Sequence, residues 1–286
     1  MSRSQAVLPR PRDAAVRGGP VPLTELREAL VSSRIRALYQ PIVRIADGVP
    51  VAVEVLARLA HPARGVVQPD LFVPQIERAG LALKLTEAVG FSAFADWRDG
   101  RLERLDLSLA LNFPLDVLLL PAALRWLERA RQSAGIPAQR ITIELTESRP
   151  IGKVTALAAS VARLRRQGYA LAIDDVGPTL RDHRALLDMG FATLKLDKAL
   201  VGAAPQHPAA AAFLARTVEE AHAAGLQVVA EGVASPALWA RMAAFAVDQA
   251  QGFCVARPMA AASVAEWHRD WRAAAQTLGV QGPLTG

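Results

Sequence analysis

The chain is short of cysteine, of aromatic residues and of long apolar runs, and each shortage removes a class of protein. Cys254 is the only cysteine among 286 residues, so no intrachain disulfide can form, and a reducing compartment suits the chain. It sits in the apolar string QGFCVA, where it reads as a small buried hydrophobe and not as a nucleophile. No stretch approaches the roughly 20 uninterrupted apolar residues of a membrane span, and the N-terminus lacks the apolar core of a secretory signal. A cytoplasmic protein without a membrane span is therefore expected. Aromatic residues make up 5% of the chain, and no Lys/Arg cluster is interleaved with them. The net charge of +6 invites a nucleic-acid reading, but without such a cluster no DNA partner is expected. No G-x-G-x-x-G follows an apolar run and no Walker A string occurs, which removes the dinucleotide-binding open sheet and the P-loop. The five histidines (His61, His183, His207, His222, His268) show no metal-ligand spacing.

What is present is apolar and ordered. Hydrophobic residues reach 52%, enough for the core of one large α/β domain. Residues 1–20 hold Arg3, Arg10, Arg12 and Arg17 against Asp13, a local +3, together with Pro9, Pro11, Gly18, Gly19 and Pro20. Residues 1–21 are read as a flexible basic tail, 22–280 as one domain and 281–286 as a short tail; no sensor segment is expected ahead of residue 22. Order begins with LTELREALVSSRIRAL, a helix with Thr24 as its cap.

Two strands follow, LYQPIV and VAVEVLARL. The seven residues RIADGVP between them, with an Asp-Gly turn, are too few for a parallel crossover, so the pair is an antiparallel hairpin. Helices are expected over 69–80 and 82–98, then strand 105–112, helix 115–133, strand 140–145, helix 151–167 and strand 169–174. A short helix near 181–188 leads to strand 192–196, helix 208–224 to strand 226–230, helix 236–245 to strand 249–255, and a last helix covers 261–277. Eight strands with helices between most of them describe a TIM-like (β/α)8 barrel whose first strand pair is antiparallel.

Seven of the apolar runs stop at a polar residue: Glu54, Asn112, Glu144, the pair Asp174–Asp175, Lys195, Glu231 and Gln251. In a parallel barrel the C-terminal strand ends meet at one face, where active sites are built. Each residue alone has an ordinary role, as a strand-end charge, a turn former or a helix cap; their recurrence at one face is what points to chemistry. With Glu147, six carboxylates would face Lys195 and Arg58 only, a formal −4 that divalent cations would balance. All-oxygen ligands favour two Mg²⁺ or Mn²⁺ ions, and adjacent Asp174 and Asp175 would let one carboxylate bridge two metals, the arrangement of in-line phosphoryl displacement.

From Leu38 to Met259 the sequence resembles the EAL-domain family, which hydrolyses or binds the bacterial second messenger cyclic di-GMP. The resemblance is carried by Tyr39-Gln40-Pro41-Ile42-Val43, by Glu54-Val55-Leu56-Ala57-Arg58 in the E-x-L-x-R form, by His61-Pro62-Ala63-Arg64-Gly65 and by Asn112. It continues through Glu144-Leu145-Thr146-Glu147-Ser148, Asp174-Asp175, Lys195-Leu196-Asp197, Glu231-Gly232-Val233, Gln251-Gly252-Phe253 and Arg257-Pro258. The resemblance implies that Glu54, Asn112, Glu144 and Asp174 hold one metal, and that Asp174, Asp175 and Glu231 hold the second. It further implies that Lys195 orients or deprotonates an attacking water, that Glu147 supports the site, and that Gln40, Leu56, Arg58 and Gln251 serve the substrate. The implied product is linear pGpG, and a homodimer or a regulatory protein is the implied partner.

The chain departs from the family pattern at Val55, Pro114 and Ala234. It departs most after the aspartate pair, where Val176-Gly177-Pro178-Thr179-Leu180-Arg181-Asp182-His183 replaces a loop rich in small hydroxyls. A metal-dependent phosphodiesterase is the first expectation, and a receptor that binds without cleaving is the second.

Overall fold

A computed structural model of the chain describes residues 19–146, 154–178 and 183–277. Helix α1 (Leu23–Val31) buries Leu26 and Ala29 and starts after Pro22 without a side-chain cap, so Thr24 does not serve as one. It stops well before Leu38. Ser33 takes a positive φ of 55°, and the chain turns into β1 (Ile35–Arg44). The helical pattern of SRIRAL yields there because β1 gains a full ladder with β2 (Pro50–His61), in antiparallel register from Ile35↔Leu59 onward. The expected hairpin is therefore present and longer than its sequence signal. A third strand, β3 (Gly65–Val67), absent from the sequence reading, folds back on β2. The expected helix over 69–80 resolves into a 3-10 turn (Pro69–Leu71) and α2 (Val73–Arg78). Leu26, Ile35, Leu59, Val67, Phe72 and Ile76 form a separate apolar cluster there, holding the hairpin arm that projects beyond the barrel.

Strands and helices then alternate: α3 (Ala82–Arg98), β4 (Ser108–Pro114), α4 (Leu115–Leu118), α5 (Pro121–Ser133), β5 (Ile141–Thr146), α6 (Val154–Arg166), β6 (Ala170–Val176) and α7 (His183–Leu187). They continue as β7 (Thr193–Leu196), α8 (Lys198–Ala203), α9 (Pro208–Ala223), β8 (Gln227–Ala230), α10 (Pro236–Ala244), β9 (Gln249–Gln251) and α11 (Ala261–Thr277). The helix expected over 115–133 is broken because Pro121 opens α5 and cannot donate into the ladder of α4. Helix α8, also unforeseen, is nucleated by Asp197, whose carboxylate accepts from the backbone N–H of Ala199 at 2.9 Å and of Leu200 at 3.3 Å.

Among the described residues the strands form one nine-stranded sheet, ordered β1-β9-β8-β7-β6-β5-β4-β2-β3, that closes through the β1–β2 pair. Eight strands thus make the barrel and β3 hangs from its rim. β1 runs antiparallel to both β2 and β9, and the other barrel neighbours pair parallel.

Alternation along the strands decides what each face carries. Val53 and Val55, Leu109 and Leu111, Ile141 and Ile143, Leu171 and Ile173, Leu194 and Leu196 are all nearly inaccessible and belong to one core cluster. The same cluster includes Phe94, Leu127, Leu157, Val161, Leu214, Val218 and Met242 of the surrounding helices. Each fully buried Leu, Ile or Val side chain stabilises the fold by about 1.5–3 kcal/mol. The positions that alternate with them (Glu54, Asn112, Glu144, Asp174, Lys195) point the other way, into the barrel.

Candidate active site

One irregularity brings the last acid into the group. In β6, Ile173 pairs with Leu194 and Val176 with Leu196, so Asp174 and Asp175 together oppose the single residue Lys195. This is a β-bulge, which re-aims a side chain that strict alternation would send outward. Asp175 takes the left-handed φ of 53° there, a conformation that Asp tolerates better than most residues. As a result one carboxylate oxygen from each of Asp174, Asp175 and Glu231 lies within 4.8 Å of the other two. Glu54 does not end its strand as the sequence reading had it, since β2 runs on to His61. It is the end of parallel pairing with β4, at Val55↔Leu111, that sets its level in the barrel.

Lys195, only 1% exposed, stands at the centre. Its Nζ is 2.6 Å from Glu231 Oε1, 2.9 Å from Asp174 Oδ1, 3.2 Å from Glu144 Oε1 and 3.5 Å from Glu54 Oε2. Burial lowers its pKa, but the four carboxylates outweigh that effect and hold it well above the ordinary lysine value. The acids divide. Burial lifts Glu54 too, yet Lys195 and hydrogen bonds from Asn112 and Gln251 more than offset this, leaving it below its usual value. Glu144 is pushed well up by burial and by the neighbouring acids Glu54, Asp174 and Glu231, against the pull of Lys195. Burial carries Glu231 up to about 8 despite Lys195, and burial with the charge of Asp174 carries Asp175 to about 6. Four carboxylates gathered around one ammonium leave an excess of negative charge, which raises the proton affinity of Glu144, Asp175 and Glu231.

Amides fix the carboxylates from the sides. Asn112 Nδ2 donates to Glu54 Oε1 at 3.0 Å, and Gln251 Nε2 donates to Glu54 Oε2 at 2.6 Å. Gln251 Nε2 also reaches Gln40 Oε1 at 3.3 Å, while Gln40 Nε2 donates to the Ala256 carbonyl at 3.1 Å. Among the described residues, three buried acceptors of the site, Glu144 Oε2, Asp174 Oδ1 and Gln251 Oε1, have no hydrogen-bond donor, although Asp174 Oδ1 lies beside the Lys195 charge. Orphaned hard oxygens beside clustered carboxylates are what a divalent cation needs, and the donor set fits Mg²⁺ or Mn²⁺.

The cluster opens into a cleft of about 1100 Å³ lined by Gln40, Glu54, Leu56, Asn112, Asp174, Asp175, Glu231 and Gln251. Glu144 and Lys195 lie beneath its floor. Arg58 does not line it: its Nη1 donates to the Ala57 carbonyl at 2.8 Å, and burial depresses its pKa against the pull of Glu54 and Asp70. Glu147 falls outside the described residues. The sequence reading did not assign roles in the cleft to Asp116, Lys198 or Phe253, which also line it. Lys198 follows directly on the K-L-D string, which was its available signal. Gly232 takes φ +68°, and a Cβ there would come within 2.7 Å of Lys198 Cβ, so the glycine leaves room for the start of the Lys198 side chain.

Comparison with known proteins agrees with this geometry. A family profile described as EAL domain matches residues 23–258. Among curated relatives, the cyclic di-GMP phosphodiesterase PA2567 of Pseudomonas aeruginosa is 27% identical over 86% of this chain and 42% of its own length. The cyclic di-GMP phosphodiesterase NbdA of the same organism is 30% identical over 87% of this chain and 32% of its own. The chain therefore spans less than half the length of these relatives. Among solved structures, the PaMucR phosphodiesterase in complex with c-di-GMP superposes with a TM-score of 0.76 at 27% identity, covering 83% of this chain and 96% of that one. The EAL enzyme Bd1971 in its cAMP- and cyclic-di-GMP-bound form superposes with a TM-score of 0.79 at 22% identity, over 86% of this chain and 67% of that one, a likeness of fold.

Proposed function

This chain belongs to the EAL domain family, and from that membership we propose that it is a metal-dependent phosphodiesterase opening cyclic di-GMP to linear pGpG. The observation that carries the reading is the bulge that turns Asp174 and Asp175 together toward Glu231 above a buried Lys195. The activity of the named relatives supports it.

Two divalent cations held by Glu54, Asn112, Glu144, Asp174, Asp175 and Glu231 would supply charge neutralisation and an acidified water for attack on phosphorus. The chain's own residues do the rest. Gln251 and Asn112 hold both oxygens of Glu54 in place. Lys195, with its Nζ 2.6–3.5 Å from oxygens of Glu54, Glu144, Asp174 and Glu231, positions these carboxylates. Gln40 is fixed by its bond to Ala256 and lines the cleft beside Leu56, where the substrate is held. Lys198, the one cation lining the cleft among the described residues, offers a point charge to the phosphodiester that is not being cut. Hydrolysis adds water across one P–O bond, leaving a 5′-phosphate on one nucleotide and a free 3′-hydroxyl on the other.

A second reading, binding without cleavage, is favoured by the sequence after Asp175, where Pro178 and Arg181 replace small or hydroxylated residues. One experiment separates the two. Purified protein is incubated with cyclic di-GMP and Mn²⁺ or Mg²⁺, with Glu54→Ala as control, and pGpG is followed by chromatography. Appearance of pGpG in the unmodified protein alone supports the enzyme; saturable calorimetric binding without pGpG supports the receptor.

A further inference from the structure

The carbonyl of Gly19, the first described residue, accepts from Arg64 Nη1 at the turn between β2 and β3. Two residues on, Val21 is 1% exposed and packs with Phe72 and Ile76 in the apolar cluster of the hairpin arm. The same stretch of chain supplies Pro69, Val73 and Glu77 to the lining of the cleft. Residues 1–18 therefore depart from the arm that borders the site. Extended at about 3.3 Å per residue they span about 60 Å, more than the roughly 45 Å breadth of a domain of this size. Length does not limit their access to the cleft.

Segment and cleft match in charge and in polarity. Glu54, Glu77, Asp116, Asp174, Asp175 and Glu231 line the cleft against Lys198 alone among the described residues. Lys195 and Glu144 beneath its floor cancel formally. Pro69, Val73, Leu85, Val89 and Trp126 give the same cleft an apolar side. Residues 1–18 carry Arg3, Arg10, Arg12 and Arg17 against Asp13, with the apolar string Ala6-Val7-Leu8-Pro9 between the first two arginines. Arginine brings a permanent charge and five donors to carboxylates.

We propose that residues 1–18 occupy the metal-free cleft, arginines on its acids and Ala6–Leu8 on its apolar side, and so compete with the divalent cations. The inference rests on the cation-binding part of the reading above and adds a restraint to it. A tethered segment acts at an effective concentration on the order of 1 mM, so an intrinsic Kd of about 0.1 mM would fill the cleft about nine-tenths of the time. With about one molecule in ten ready, apparent cation affinity falls about ten-fold. The coupling is reciprocal, so saturating cation releases the tail. The ordinary alternative is a solvated basic segment that touches nothing.

The test uses the full chain and a variant carrying Arg3→Ser, Arg10→Ser, Arg12→Ser and Arg17→Ser together, with Mn²⁺ as the probe. Calorimetry at low ionic strength should find Mn²⁺ bound about ten-fold more tightly by the variant, and the difference should vanish at high salt. In the unmodified protein, trypsin should cut after Arg12 and Arg17 slowly without cation and several-fold faster in saturating Mn²⁺. Equal Mn²⁺ affinities at low salt, or a cleavage rate indifferent to Mn²⁺, overturn the tail's place in the cleft and leave the functional reading standing. A charge effect without contact would alter the affinity and not the cleavage. An effect that grows with protein concentration would seat the tail in a second copy and overturn the intramolecular contact. If neither protein binds Mn²⁺, the cation reading fails and the competition with it.

Discussion

Gln251 Nε2 donates to Glu54 Oε2 at 2.6 Å, joining residues 197 positions apart in the chain. The bond crosses β1, which separates β2 from β9 in the barrel. It fixes an acid at the centre of the site without adding charge. Replacing Gln251 by Ala should leave the fold intact and reduce kcat about 10- to 100-fold, the usual effect of removing a group that orients a metal ligand. KM should move far less. Steady-state kinetics decide, and a kcat within two-fold of the unmodified protein would count against the assignment.

Lys195→Met tests the charge balance beneath the cleft. The substitution leaves Glu54, Glu144, Asp174 and Glu231 without the ammonium they share. Removing one partner from a buried ionic group costs about 3–5 kcal/mol. The melting temperature of the metal-free variant should fall accordingly, and Mn²⁺ should restore much of it while turnover stays lost. A variant as stable as the unmodified protein without metal would show that Lys195 does not hold this cluster together.

The raised carboxyl groups fix a pH dependence. Burial holds Glu231 near 8 and Asp175 near 6, so near neutral pH the metal-free protein carries protons that the unfolded chain has lost. Metal-free stability from these groups is complete below the ordinary carboxylate range and declines as pH rises through 6 and then 8. A cation must displace the same protons, so Mn²⁺ affinity should rise from pH 6 to pH 8 with measurable proton release. Calorimetry in buffers of different ionisation enthalpy reads both. Affinity independent of pH would contradict this account.

Lys198 should act on binding and not on chemistry. Lys198→Gln is expected to raise KM for cyclic di-GMP several-fold with kcat unchanged, the pattern of uniform binding lost. The effect should shrink at high ionic strength, because the ammonium is exposed. Equal KM values for the two proteins at low salt would remove Lys198 from the substrate's path.

Most of the barrel was legible from period-two apolar runs separated by helical stretches, because buried strands such as ITIELT and LAIDDV carry their alternation openly. The candidate acids were legible for the same reason: Glu144 and Asp174 interrupt apolar strings with a charge. The bulge at Asp174–Asp175 was not, since it depends on the register of β6 against β7 and not on local preference. The early end of α1 was hidden likewise, because pairing with β2 overrides the helical pattern of SRIRAL. Arg58 was read from its motif as a contact to the dinucleotide; in the structure one of its donors, Nη1, bonds to the Ala57 carbonyl. Phe253 stood in a quoted motif without a role, because one aromatic in an apolar string carries no signal of exposure.

The seam of the barrel has a kinetic consequence. β1 meets β9 through Ile42↔Gln251, Val43↔Ala250 and Arg44↔Gln249, pairings between the beginning and the end of the domain. Contacts so distant in sequence incur the greatest loss of chain entropy and tend to form slowly. The amide clamp on Glu54 exists only once that seam has shut, so a chain released before closure would carry every acid of the site and lack the order that makes them a site. Recovery of activity during refolding should therefore lag behind recovery of secondary structure, and the lag would time the closing of the barrel.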